Sequence, residues 1–278
     1  MCGLVALVVV VFVGIASMPL SAFPVLDARA LSATGELRLW MELGRLELLR
    51  GEEPRVDVEA ILPPGMVLRW RDHAGGTSLR VEDPHRTLPR QARLVIRVPA
   101  GVDLRLDVGD AAVVAEGVGG RDLVLRGGRG PVSVRDPTGA LAVETTAGGI
   151  RLQTARPGRV RLRSLGGSID VELGATRGAD AVLETFTGPI TLRLAPGMPA
   201  TLLPRLARRD LSLPVGATGR PDGSVVLGEG GGRIVLESFG GGVRVMEDAT
   251  IPVTGLAAPG AESEPDPLPG QNEAPTRS

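Results

Sequence analysis

The sequence predicts an all-β protein built as a β-solenoid, a stack of short coils, and three observations predict it. The first is a hydrophobic pair with fixed internal spacing: Leu106/Val113, Leu125/Val132, Val143/Ile150, Leu162/Ile169, Leu183/Ile190 and Leu236/Val243. Members of each pair are seven residues apart, and the first five pairs follow one another at 19, 18, 19 and 21 residues. Such a period marks repeats too small to fold alone that bury their apolar faces by stacking. The second is glycine in the gap of most pairs, as at Gly127-Gly128, Gly148-Gly149, Gly166-Gly167, Gly188 and Gly240 to Gly242. The third is strict polar–apolar alternation on both sides of that gap, which is the pattern of two short strands around one bend.

One coil shows the logic. Leu141 and Val143 point one way, Ala142 and Glu144 the other; after Gly148-Gly149, Ile150 and Leu152 point inward, Arg151 and Gln153 outward. The seven-residue bend is constant, so length variation falls in the opposite turn, at Asp136 to Gly139, Thr154 to Gly158 and Gly174 to Gly178. Between Pro204 and Leu211 the spacing recurs in degenerate form. Pro204 falls at an inward strand position and Arg208-Arg209-Asp210 replaces the glycine bend. A loop over 214–223 then delays the last coil, 234–245. About seven coils are expected over 101–247.

The outward position after each first strand carries Asp107, Arg126, Glu144, Arg163 and Glu184 in turn. Stacked strands sit about 4.8 Å apart, so this order predicts a ladder of alternating charge, which Arg205 would continue. Glu116/Arg135 and Glu172/Arg193 form a second such set. Like charges out of register would repel, so the ladder specifies register more than it adds stability.

Residues 31–100 also alternate, as in Glu36 to Leu39 and Arg93 to Val98, and read as strands. They are expected to lack the seven-residue pairing and to form an N-terminal β cap with entry strands, because an open stack end exposes unpaired edges. Leu4 to Leu20 is apolar and predicts, within residues 1–22, a signal peptide or a membrane anchor. Cleavage sites are offered after Ala22 and at Ala28-Arg29-Ala30. Cys2 precedes the apolar run, so it is not a lipoprotein acylation site. The tail 255–278, rich in Pro, Gly, Ala and Glu, is expected to be disordered. Ile251-Pro-Val-Thr-Gly255 looks like a wall-sorting pentapeptide, but no apolar segment and basic tail follow, and chance accounts for it.

Composition narrows function. The formal net charge is −1, with 31 basic residues, all arginine; this argues against a nucleic-acid partner. Aromatics make up 2% of residues, as suits a thin core of Val, Leu and Ile, and 39 glycines suit many tight turns. A single cysteine forbids an internal disulfide or multi-cysteine metal site. His73 and His85 read as surface loop residues. No nucleophile-elbow, zincin or phosphate-loop motif is present, so no catalytic, cofactor-binding or metal-binding residue is assigned and no cofactor is expected.

Leu94-Val-Ile-Arg-Val-Pro-Ala-Gly-Val-Asp-Leu-Arg-Leu106, followed by repeated Gly-x-Ile-x-Leu units, resembles the bacterial putative-adhesin family of β-strand-repeat domains, and the heads of autotransporter adhesins. The resemblance covers about residues 90–247. It implies a right-handed single-stranded β-helix, usually outside the cytoplasm and often tethered to a membrane, with no catalytic motif. This chain carries Arg or small residues where many members place Asn-Gly or Asp in the bend. The expected function is a non-catalytic, exported adhesin-like binding or structural module of the cell envelope, secreted, periplasmic or at the surface. Its expected partner is an envelope polysaccharide or surface protein, with residues 4–20 as a membrane tether. A sensor accessory of envelope signalling is the alternative. A carbohydrate-active β-helix enzyme using Glu144, Glu184 and Glu237 is a third reading, disfavoured because arginine separates the first two.

Overall fold

Alternation of small and branched apolar residues with arginine and acids leaves each short segment with one face to bury, and strands result throughout. A computed structural model describes residues 23–30, 35–84, 91–155, 158–174, 179–207 and 210–251. The N-terminal strands are β1 (Phe23–Ala30), β2 (Glu36–Met41), β3 (Gly44–Gly51), β4 (Arg55–Leu62), β5 (Val67–His73), β6 (Gly76–Glu82) and β7 (Ala92–Pro99). The central run is β8 (Asp103–Val108), β9 (Ala112–Glu116), β10 (Asp122–Gly127), β11 (Val132–Arg135), β12 (Ala140–Thr145) and β13 (Ile150–Thr154). It continues through β14 (Arg159–Ser164), β15 (Ile169–Leu173), β16 (Asp180–Thr185) and β17 (Ile190–Leu194). The C-terminal strands are β18 (Ala200–Leu206), β19 (Leu211–Ser212), β20 (Thr218–Gly219), β21 (Val225–Leu227), β22 (Gly232–Ser238) and β23 (Val243–Glu247). All described elements are β, and no described helix is long and apolar enough to cross a membrane.

The strands form two sheets. The first has 11, in the order β1-β4-β7-β3-β9-β11-β13-β15-β17-β23-β19, and the second has 12, in the order β20-β21-β18-β22-β16-β14-β12-β10-β8-β2-β6-β5. From β8 to β17 the chain alternates between sheets, and each strand is parallel to the next but one. The predicted pairs hold this together. Leu125 lies opposite Leu106 and Val143, and Val132 opposite Val113 and Ile150. All these residues are buried in one continuous core.

The constant bend has a physical cause. Thr145, Ser164, Thr185 and Ser238 end the strands of the second sheet, and all four are buried. Ser164 Oγ accepts the Gly167 N–H at 2.8 Å and donates to the Gly148 carbonyl of the preceding unit at 3.3 Å. Thr185 and Ser238 accept the N–H of Gly188 and Gly241 in the same way, at 3.0 and 3.1 Å. The third residue on must be glycine, because the chain stacks backbone on backbone there. A Cβ on Gly167 would lie 2.2 Å from the Gly148 oxygen, and one on Gly188 would lie 2.0 Å from that of Gly167.

Two expectations are corrected. Residues 31–100 do contain a seven-residue pair, Leu39/Leu46, whose members lie opposite Leu106 and Val113. Strands β2 and β3 are therefore one more two-strand unit, and β6 and β7 stack outside it. Within 101–247 the two-strand units number seven, and β2–β3 and β6–β7 bring the stack to nine. Lastly, the units are not stacked in chain order at either end. β22–β23 lies between β16–β17 and β18–β19, and β2–β3 lies between β6–β7 and β8–β9. The inserted units have both edges paired, whereas the outermost ones are covered by antiparallel strands: β5 on β6, β4 on β7 and β21 on β18. Pro204 faces Leu236 from an inward position, and β21 reaches only Ala200 to Leu202, so Pro204 sits where β18 is an edge and its missing N–H breaks no rung. Residues 1–22, Arg208-Arg209 and 255–278 lie outside the described residues.

Candidate functional site

The outer face of the second sheet supplies the most distinctive surface. Register places Arg71, Ser78, Arg38 and Arg105 in one row across β5, β6, β2 and β8. The adjacent row is Arg69, Arg80, Trp40 and Asp107. Each is an outward position because its strand neighbours, such as Leu37, Leu39, Leu79 and Leu104, fill the core. Apart from Arg105, the rows line a groove of about 630 Å³, which Trp70 and Glu82 also border. The two tryptophans of the chain are thus both at this groove.

Two carboxylates organise the arginines. Glu82 contacts Arg69 Nε at 2.8 Å and Arg80 Nε at 3.6 Å. Glu36 contacts Arg105 Nε at 3.0 Å and pairs with Arg38 as well. The Arg80 guanidinium lies 4.1 Å from the centre of the Trp40 ring, a cation–π contact that fixes both side chains. Arg71 makes no ion pair among the described residues. Five arginines share Glu36, Glu82 and Asp107, so the face carries a local positive excess in a chain whose net charge is −1.

Beyond this end the same row becomes the predicted ladder: Asp107, Arg126, Glu144, Arg163 and Glu184 are register neighbours. Arg163 contacts Glu144 at 3.5 Å and Glu184 at 3.2 Å. Arg205 does not follow Glu184 as expected; Glu237 does, and Arg205 lies beyond it at 2.8 Å from Glu237. Of the three carboxylates considered for catalysis, Glu184 and Glu237 are adjacent, and each has an arginine on its other side. The second set is also in register, with Arg135–Glu116 at 3.6 Å and Arg193–Glu172 at 3.2 Å.

The outward row Ser133, Arg151, Asp170 and Thr191 runs in register along the first sheet. It borders a shallower groove of about 410 Å³, and Arg151 is tied to Glu172 at 3.0 Å. At the bend edge Leu165, Phe186 and Phe239 recur at equivalent places and are all exposed, with the two phenyl rings 5.3 Å apart. Sequence reasoning passed over this strip.

Carboxylates also fasten one unit to the next. Asp103 Oδ1 accepts the N–H of Arg121 at 2.7 Å and of Asp122 at 3.2 Å, and Oδ2 meets the Arg121 guanidinium at 3.2 Å. Burial pushes this carboxyl up; the two N–H donors and the guanidinium outweigh it and hold the group below its ordinary value of 3.8. His73 ends β5 rather than lying in a loop, and its Nε2 is buried without a partner; His85 is outside the described residues. Among the described residues no cluster of His, Cys, Asp and Glu is placed to hold a metal.

No protein-family model matches the chain, and no curated protein matches it. Solved structures similar to it include a putative cell adhesion protein from Clostridium sporogenes, at 11% identity and TM-score 0.40, covering 81% of this chain and 100% of that one. A putative adhesin from Bacteroides fragilis is 12% identical, with TM-score 0.42, covering 81% of this chain and 97% of that one. A putative lipid binding protein from Parabacteroides distasonis is 10% identical, with TM-score 0.39, covering 81% and 96% respectively. At such scores these likenesses carry none of the functional reasoning below.

Proposed function

We propose that this protein is a non-catalytic binding module of the bacterial cell envelope, carried outside the cytoplasm on a right-handed single-stranded β-solenoid. The observation that carries the reading is the continuous register of outward side chains over both sheets, which offers the same spacing to a partner many times over. A repeated surface suits an extended polymer or a surface protein, held by many modest contacts. Pairing of Glu144 and Glu184 with Arg163, and of Glu237 with Arg205, favours ionised carboxylates that fix register over an acid held protonated for glycosidic chemistry. The apolar segment 4–20 supports export.

The test is retention of isolated envelope polymers and surface proteins by the immobilised full chain, with the retained material assayed for turnover. Retention without turnover is expected. Joint substitution of Ser133, Arg151, Asp170 and Thr191 asks whether the first sheet contributes. Turnover that vanishes on changing a single carboxylate would replace this reading with an enzyme.

A further inference from the structure

We propose that the groove formed by Arg38, Trp40, Arg71 and Arg80 is a binding site for an acidic polysaccharide, a glycan bearing carboxylate or phosphate groups; this rests on the binding-module reading and names its ligand and its site. Charge complementarity is the first argument. Four arginines line the groove and Arg105 adjoins it, on four neighbouring strands of a chain with net charge −1, so the excess is local and not a product of composition.

The second argument is the state of those arginines. The contacts to Glu82 and Glu36 are made through Nε, which leaves the Nη nitrogens of each guanidinium for a further partner. Arg71 is uncommitted among the described residues. Planar guanidinium forks match carboxylate and phosphate oxygens in bidentate fashion. Strand spacing repeats these cations every 4.8 Å or so along the stack, so an extended chain with an anionic group on successive units meets several at once.

The third argument is shape and surface. A groove of about 630 Å³ holds more than a single ion. Trp40 lies beneath the Arg80 guanidinium in its wall, and the cation–π contact holds that cation facing the groove. A membrane surface is disfavoured because Trp40 is half-buried beneath Arg80 and does not project. A nucleic acid is disfavoured because one half-buried indole is not a run of stacking platforms and the chain as a whole is not basic.

The chain has no tyrosine and two tryptophans; Trp40 lines the groove and Trp70 borders it from the core side, so a ligand there alters the intrinsic emission. Full-length protein is titrated with polygalacturonate, with a glycerol-phosphate polymer and with neutral dextran. A saturable change in tryptophan emission is expected with one or both acidic polymers, weakening as salt rises, and none with dextran; the two acidic arms decide between carboxylate and phosphate. Arg38→Gln combined with Arg71→Gln should weaken binding about tenfold or more, and Arg161→Gln, on the same face far from the groove, should leave it unchanged. Should the double variant melt abnormally, Arg71→Gln alone decides, since Arg71 has no ion pair to lose among the described residues.

Retention of acidic polymer with unaltered emission, or equal affinity in the double variant, overturns the site while leaving the binding module standing. Equal binding of dextran, tighter binding of oligodeoxythymidylate or of phosphatidylglycerol vesicles, or binding of none of these polymers overturns the ligand class. Shortening of the polymer overturns the binding-module reading itself.

Discussion

Glu184 and Glu237 lie side by side in register on parallel strands, although β17 to β21 separate them in the chain. The final two-strand unit has been laid inside the one before it, and β2–β3 lies inside β6–β7 at the other end. Each inserted unit gains a neighbour on both edges. Antiparallel strands then flank the outer units at β6, β7 and β18, so that the sheets end on β1, β5, β19 and β20.

This order makes a prediction about charge. Glu237, not Glu184, is the partner of Arg205. In denaturant melts, a double-mutant cycle of Arg205→Glu with Glu237→Arg should show coupling of about 0.2–1 kcal/mol. The same cycle with Glu184→Arg should show none. Arg163→Glu, which faces Glu144 and Glu184, should destabilise by about 0.5–1.5 kcal/mol and be partly rescued by Glu144→Arg.

The bend predicts a contrast between two neighbours. Gly167→Ala drives a methyl into the Gly148 carbonyl and should cost about 3 kcal/mol. Ser164→Ala leaves the buried Gly167 N–H without its acceptor and should cost about 1–3 kcal/mol. Ser164→Thr places the residue found at 145 and 185 and should be close to neutral. Thermal melts of the three variants check the ranking; a neutral Gly167→Ala would contradict the backbone stacking.

Asp103 predicts a share of acid sensitivity. Its carboxyl titrates below its ordinary value in the folded chain, so the stability it adds is complete above about pH 4 and disappears as pH falls through the lowered value. Asp103→Ala should therefore be less stable than the wild type at pH 7 by about 1–2 kcal/mol. The gap should close towards pH 2. A constant gap from pH 7 to pH 2 would assign the loss to packing instead.

The chain terminus carries a further expectation. β1, Phe23–Ala30, lies between the two cleavage sites that the sequence offers and pairs with β4. Cleavage after Ala22 keeps that strand, and cleavage after Ala30 deletes it. N-terminal sequencing of exported protein should start at Phe23 if the leader is removed. A start at Leu31, or intact protein found soluble in the cytoplasm, would contradict it.

Much of this architecture was legible because it is periodic. The ladder from Asp107 to Glu184 could be drawn from spacing alone, since those units stack in chain order. What spacing cannot express is which unit lies next to which once a connection skips a neighbour. Leu39/Leu46 carries the same seven-residue signal as the central pairs, but its neighbours in the stack, Leu79 and Leu94, are set apart by the long β6–β7 connection. Arg205 was misplaced for the same reason. The groove was hidden most completely. Arg69, Arg80, Trp40 and Asp107 become one row only through the out-of-order pairing of β5, β6, β2 and β8. A local sign was nonetheless present in Arg69 and Arg71, two apart and so on one face of β5, with Trp70 between them turned to the core.

The most direct test of a non-catalytic binding module is to recover, from one sample, the polymer that the full chain retains and to measure its length. The account predicts polymer that is held by the protein and eluted by salt at its original length. Polymer that emerges shortened, with the shortening lost in Glu184→Gln or Glu237→Gln, would contradict it.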